Sequence, residues 1–260
     1  MTYTPVTVSL NTFAFDGTTQ SPSGVVWDWQ ELSGWFDSGD LRVASGEAGR
    51  GVVLTVDRRI GRPITATFLA HSSSPGRKLD DLMYTAQKAL KSFVAPAVSE
   101  AAVLLKVNEP DVALQSRVRQ VGPIRTKMLG QRAFVQFQVP LLAPDYRRYS
   151  QTLHSQALTV GSNTVTNAGD LPTPVVLTQT GPATSPSFQN TTAAGDPTLA
   201  MTTAYGAVNL VIATDTETVQ INGFNFRSSL TTAQWWNLAP GANTIVVSHA
   251  TTIEWRDAYS

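Results

Sequence analysis

The chain holds three histidines, His71, His154 and His249, and no cysteine. Imidazole is the side chain most often used for proton transfer near neutral pH and for metal binding. The three lie far apart, and none belongs to an HxxxH or HExxH spacing that would set two ligands on one helix face. Each therefore reads as a satisfied or surface histidine, and no metal is expected. The lack of cysteine removes disulfide scaffolds, Cys-based zinc sites and thiol nucleophiles. Ser72, Ser73 and Ser74 put hydroxyls beside His71, but no GxSxG elbow and no acid at a fixed offset completes a nucleophile. Asp80 and Asp81 are adjacent, so on a helix they point about 100° apart. They read as first-turn acids favoured by the helix dipole rather than as a general acid–base pair. The stretch Gly46–Gly51 is glycine-rich but lacks the Lys-Ser/Thr of a phosphate loop, and no helix follows it. It reads as part of a Gly/Ser-rich loop, Ser38–Gly51, suited to an interface. No catalytic residue and no cofactor are assigned, and the chain is not read as an enzyme.

Two other groups could bind rather than react. Arg117, Arg119, Arg125, Lys127 and Arg132 form a basic cluster on or beside expected strands. Residues 117 and 119 share one face, as do 125 and 127. A solvated sheet face is the first reading, subunit–subunit ion pairing the second, and contact with passing DNA the third, since no aromatic residues interleave for base stacking. Trp235, Trp236 and Trp255 could stack on sugars. More often one such ring packs in the core while its neighbour is partly exposed on the opposite face.

The elements that must carry these residues can be read from pattern. The N-terminal part shows period-two strands, with Val25, Trp27 and Trp29 on one face. Arg62–His71 reads as a strand inside a sheet, since both faces carry apolar residues. Strands are also expected at Ala101–Val107, Ala113–Val121, Ile124–Met128 and Ala133–Leu141, with a hairpin tip at Leu129-Gly130-Gln131. One helix is expected at about 75–93. Ser72–Ser74 and Pro75 offer caps, and Leu79, Leu82, Met83, Ala86 and Leu90 form an apolar stripe at helical period. After residue 150 there is no helical period. Many short strands alternate with turn signals, among them Asn222-Gly223, a strong two-residue hairpin signal. That spacing argues a β-sandwich of about 100 residues.

At 260 residues and 42% apolar composition the chain can build one large or two ordinary cores. Residues 1–150 carry 17 Lys/Arg and 13 Asp/Glu, whereas residues 151–260 carry 2 and 6. This change of character, from charged to Thr/Asn/Ala/Gly-rich, places a domain boundary near 150, giving domains 1–150 and 151–260. The zero net charge disfavours binding by phosphate neutralisation. No apolar run is long enough to cross a bilayer, and the N-terminus shows no signal sequence. No membrane partner is expected.

Three stretches carry a resemblance. Leu142–Tyr149 contains Ala143-Pro144-Asp145-Tyr146. Asn167-Ala168-Gly169-Asp170, Pro172-Thr173-Pro174-Val175 and Asn190-Thr191-Thr192 form a series. Trp236-Asn237-Leu238-Ala239-Pro240-Gly241-Ala242-Asn243 comes near the end. In this order they resemble the distal tail (Dit-like) proteins of long-tailed, non-contractile bacteriophages, along essentially the whole chain. One departure is Tyr146, where the family often has Pro. The resemblance implies a mainly β fold: a ring-forming N-terminal β-domain with one helix, then a galectin-like β-sandwich.

It further implies a structural virion protein, assembled in the host cytoplasm and located at the tail tip. Such a protein forms a homohexameric ring between the last tail-tube ring and the hub or baseplate. Its sandwich holds receptor-binding or fibre proteins, and DNA only passes through its channel. A closed ring needs heterologous interfaces, so each subunit offers two different edges. The charged first domain and the loop Ser38–Gly51 are their expected sources. Trp236 aligns with the family motif and is the core candidate; Trp235 is left to face a partner. The alternative is a carbohydrate-binding receptor-recognition protein gripping wall glycans through Trp235 or Trp236.

Overall fold

The computed structural model describes residues 6–21, 24–36, 41–48, 51–59, 61–72, 78–94, 103–129, 134–202 and 204–260. The chain divides into two compact units, 1–148 with Ser260, and 149–259. The fold is mainly β with one α-helix among the described residues.

The first unit contains β1 (Thr7–Leu10), β2 (Phe13–Ala14), β3 (Asp16–Gln20), β4 (Val25–Ser33), β5 (Leu41–Ala48), β6 (Gly51–Arg59) and β7 (Arg62–Ser72). Then come α1 (Leu79–Val94), β8 (Val103–Asn108), β9 (Ala113–Gln120), β10 (Arg125–Met128) and β11 (Phe134–Ala143). One sheet takes the order β2-β1-β8-β9-β11-β7-β4-β3, and β10 also pairs with β11. Strand β7 is interior to the sheet, between β11 and β4, with one face buried and Pro63 and Thr65 exposed on the other. Its register sets Ile64, Ala66, Phe68 and Ala70 opposite Leu141, Val139, Phe137 and Val135, all buried. Small Ala70 lies between Val135 and Trp27, which leaves room for the indole. Phe15 stacks on Phe68 at 4.2 Å, and Trp27 meets Phe137 at 5.4 Å.

The helix starts at Leu79, the first residue of the apolar stripe and later than the expected start near 75. Its residues Leu82, Ala86 and Leu90 are fully buried, four apart on one face, and it lies against β4, β7 and β11. The expected capping residues Ser73, Ser74 and Pro75 lie outside the described residues, and Ser72 ends β7. So do Gly130, Gln131 and Arg132, and with them most of the expected hairpin tip. The expected loop Ser38–Gly51 is corrected: Leu41–Ala48 is strand, paired with Gly51–Arg59 as a two-stranded ribbon. Glycine and serine disfavour a strand locally, but the partner Val52-Val53-Leu54-Thr55-Val56, four of its five residues β-branched, supplies the pairing.

A short strand, β12 (Arg148–Ser150), lies at the junction of the units. The second unit has one sheet built from β13 (His154–Leu158), β15 (Val175–Thr184), β18 (Ala204–Ala213), β19 (Thr218–Ile221), β20 (Phe224–Asn225) and β23 (Thr251–Trp255). The other holds β14 (Gly161–Asn167), β16 (Ser187–Asn190), β17 (Thr198–Met201), β21 (Leu230–Ala233) and β22 (Gly241–Val247). Alternate residues of both sheets make one core, including Leu177, Phe188, Leu199, Ile212, Trp236, Ile245 and Ile253. Asn222 and Gly223 both adopt positive φ, 50° and 83°, and close β19 onto β20 as a two-residue hairpin. The segment bearing Trp235 and Trp236 joins β21 to β22. Strand β21 pairs with β17, and β22 pairs with β14 and β16, so the tryptophans lie on a connection that crosses the sheet.

Candidate interaction surfaces

The histidines serve three separate local structures. His71 stands beside Phe134 with ring centroids 5.5 Å apart. The His249 Nδ1 meets the Ser248 hydroxyl at 2.8 Å. The His154 Nε2 lies 2.9 Å from Asp257 Oδ2, and its ring stacks on Trp255 at 5.2 Å. Asp257 is buried, and its Oδ1 accepts the Ala168 N–H at 2.9 Å. Among the described residues no three His, Asp or Glu side chains gather as metal ligands. Asp80 and Asp81 sit in the first turn of α1, as expected.

The motif residues of the sandwich are turn-holders. Three asparagines, 167, 190 and 243, are fully buried. Asn167 accepts the Gly169 N–H and donates to the Leu171 carbonyl. Asn190 accepts from Thr192 and donates to the Asn237 carbonyl. Asn243 bonds both the N–H and the carbonyl of Ala239. A buried backbone polar group needs a partner, and a short amide side chain supplies both a donor and an acceptor. Trp236 is 4% exposed, at the core position expected of it. Trp235 is half-buried, with the Arg227 guanidinium 5.6 Å from its ring centroid. Arg227 in turn pairs with Glu217 at 2.6 Å, and Phe224 nearby in sequence is 72% exposed.

A partly buried ionic cluster in the first unit is also structural. Glu109 Oε1 accepts from Trp35 Nε1 at 3.0 Å and from Arg148 at 3.3 Å. Arg148 lies 5.7 Å from the Trp35 ring and donates to the Ser260 carbonyl. Arg62, 2% exposed, donates to the Trp35 carbonyl at 2.5 Å.

Four of the five basic residues are described, and register places them on one sheet face. Residues directly opposite in an antiparallel pair share a face. Arg125 and Lys127 are opposite Gln138 and Gln136, which are opposite Thr67 and Leu69. Arg119 is opposite Leu142, two pairs further along the same face as Gln138, and Arg117 follows at period two. All four are exposed. Arg132 lies outside the described residues.

The same rows end in acids on β4. Leu69 is opposite Asp28 and Thr67 is opposite Glu31. Strict alternation would put residues 28 and 31 on different faces. They share one because the register shifts between Trp29 and Glu31, where Gln30 is the extra residue of a β-bulge. Leu32 thereby returns to the core side opposite Ala66. Sequence periodicity could not find this acidic pair, because the only signal is a bulge set by pairing with β7. Along this end of β4 runs an open groove of about 390 Å³, lined by Trp29, Gln30, Glu31, Leu32, Ser33, Gly34 and the exposed Phe36.

Residues 168–259 match the family model described as siphovirus-type tail component, C-terminal domain. No curated protein matches the chain in sequence. Among solved structures it resembles the Dit protein (gp 19.1) of phage SPP1, described as a paradigm of the hub adsorption apparatus of phages that infect Gram-positive hosts. That likeness has a TM-score of 0.73 at 14% identity and covers 99% of this chain and 100% of that one. The phage P2 baseplate in its activated conformation with Ca gives a TM-score of 0.58 at 9% identity, over 99% of each chain. The same baseplate with Sr gives 0.54 at 10% identity, over 97% and 98%. At these identities the structural likenesses establish the fold.

Proposed function

We propose that this chain is a Dit-like structural part of a siphovirus-type phage tail, as the match over residues 168–259 and the whole-chain likeness to SPP1 Dit support, and that it forms a homohexameric ring joining the tail tube to the baseplate hub. The first unit closes the ring, and DNA only crosses its channel. The sandwich anchors receptor-binding or fibre proteins at the tail tip, and the protein assembles in the host cytoplasm.

The observation that carries this reading is coverage. The likeness to SPP1 Dit takes in both units of the chain, so it is not a shared sandwich alone. The exposed basic residues and the exposed Glu31 on one face of the first unit fit a subunit that offers two different edges, as a closed ring requires. The β5–β6 ribbon supports it as well, because a lone two-stranded ribbon is marginal in water and gains from a partner. Arg227 across the Trp235 ring argues against sugar stacking there, and we assign Trp235 to a protein contact. Native mass spectrometry of the purified protein and a reconstruction of the tail tip test the ring. Six copies are expected; a monomer at micromolar concentration together with a tip lacking sixfold symmetry overturns it.

A further inference from the structure

We propose that β10 of one copy docks on the open Gln30–Ser33 edge of β4 in the next copy, with Lys127 set against Glu31. The inference rests on the ring reading and names its seam.

Strand direction makes the two edges compatible. β4, β7, β11 and β10 are successive antiparallel neighbours. The first and last of four such strands run in opposite directions. Copies related by rotation about a ring axis keep their strand senses. A neighbour's β4 therefore runs antiparallel to β10, and the alternation continues across the seam without a break.

Both edges are open over matching lengths. Among the described residues β10 pairs only with β11. Its four residues, Arg125 to Met128, are all exposed, an unusual state for a strand in a sheet. Among the described residues β3 pairs with β4 only at Asp28 and Val26, and residues 30–33 pair with β7 alone. Open edges of this kind invite strand addition.

Side chains then select the register. Faces must match across the seam, so the basic face of β10 meets the face of β4 that carries Asp28 and Glu31. Setting Lys127 opposite Glu31 puts Arg125 opposite Ser33 and Thr126 opposite Leu32. Met128, 43% exposed, then falls beside Gln30 and Trp29 in the groove, close to the 58% exposed Phe36. Met128 otherwise ends the row Trp27–Ala70–Val135 at a bare edge. Glu31, Arg125 and Lys127 make no ion pair among the described residues, whereas opposite charges across a seam steer and register an interface.

Charge exchange tests the seam. Glu31→Lys and Lys127→Glu are made singly, together, and as an equimolar mixture of the two single variants. Each position is exposed, so the circular dichroism of each variant should match wild type, while the melting temperature falls only as far as assembly is lost. Each single variant is expected to weaken self-association at least tenfold at physiological salt. The double variant, and the mixture forming alternating rings, should recover it. The paired substitutions Glu31→Cys and Lys127→Cys should link copies by disulfides into a ladder, since the native chain has no cysteine. A sixfold wild type whose variants assemble unchanged, or whose mixture does not recover, overturns the seam and leaves the ring standing. A monomeric wild type overturns the ring and the seam with it.

Discussion

Asn243 grips Ala239 from both sides. Its Oδ1 accepts the Ala239 N–H and its Nδ2 donates to the Ala239 carbonyl, each at 2.8 Å. The amide thus closes the Ala239-Pro240-Gly241 turn that launches β22, where Gly241 has φ 85°. Asn243→Ala leaves two backbone groups of the partly buried Ala239 without their partner and empties a fully buried side-chain site. A loss of about 2–4 kcal/mol is expected from an unmade-bond cost of about 1–3 kcal/mol per group. Chemical denaturation of residues 149–260 within the full chain, followed by tryptophan fluorescence, measures it. A loss under about 0.5 kcal/mol would remove the asparagine's assigned role.

The neighbouring tryptophans separate by their surroundings. Trp236→Ala should cost about 3–5 kcal/mol, as for other buried aromatic truncations. Trp235→Ala should cost about 1 kcal/mol, chiefly the contact with Arg227 and partial burial. Equal losses in thermal unfolding would contradict this division.

Gly169 meets a different constraint, that of space. A Cβ there would lie 2.0 Å from the Ala258 carbonyl oxygen, a backbone atom that cannot turn aside. That same oxygen accepts the Leu171 N–H at 3.0 Å. Gly169→Ala should therefore destabilise by about 2–3 kcal/mol, the upper range of overpacking costs. Hydrogen exchange should show the Leu171 amide losing protection first; a variant with wild-type protection would contradict the close approach.

Acid should loosen the turn at Asp16. The Thr19 N–H, then the Thr18 N–H, bond to its carboxylate and hold its pKa down to about 2, against an ordinary 3.8. A depressed folded pKa stabilises above the unfolded value and loses that contribution as pH falls from about 4 through about 2. Asp16→Asn keeps an acceptor but does not titrate. The melting-temperature gap between wild type and Asp16→Asn should be constant above pH 5 and should shrink between pH 4 and pH 2. A gap that does not change with pH would contradict the bonding scheme.

How far sequence foretold structure depends on the range of the interaction. The stripe Leu82, Ala86, Leu90 and the Asn222-Gly223 turn were legible because their geometry is set within a few residues. The β5–β6 ribbon was not, because residues 41–48 become strand only by pairing with residues 51–59. Trp236 could be assigned to the core from its motif, yet the connection it lies on depends on β21 joining β17 rather than β22. The basic side of the candidate seam could be seen as period-two pairs. Its acidic side could not, because Glu31 joins Asp28 only through a register shift fixed by β7.

That shift has a consequence for how the chain can change. Gln30 is surplus to the pairing of β4 with β7, so its removal would leave Trp29 opposite Phe68, Glu31 opposite Thr67 and Leu32 opposite Ala66. In most core strands, loss of one residue turns every later side chain inside out. Here a deletion is absorbed, and only the local bend beside the groove is lost. The strand thus holds a site where insertion or deletion can remodel a contact surface between related chains while the core beneath it stays in frame.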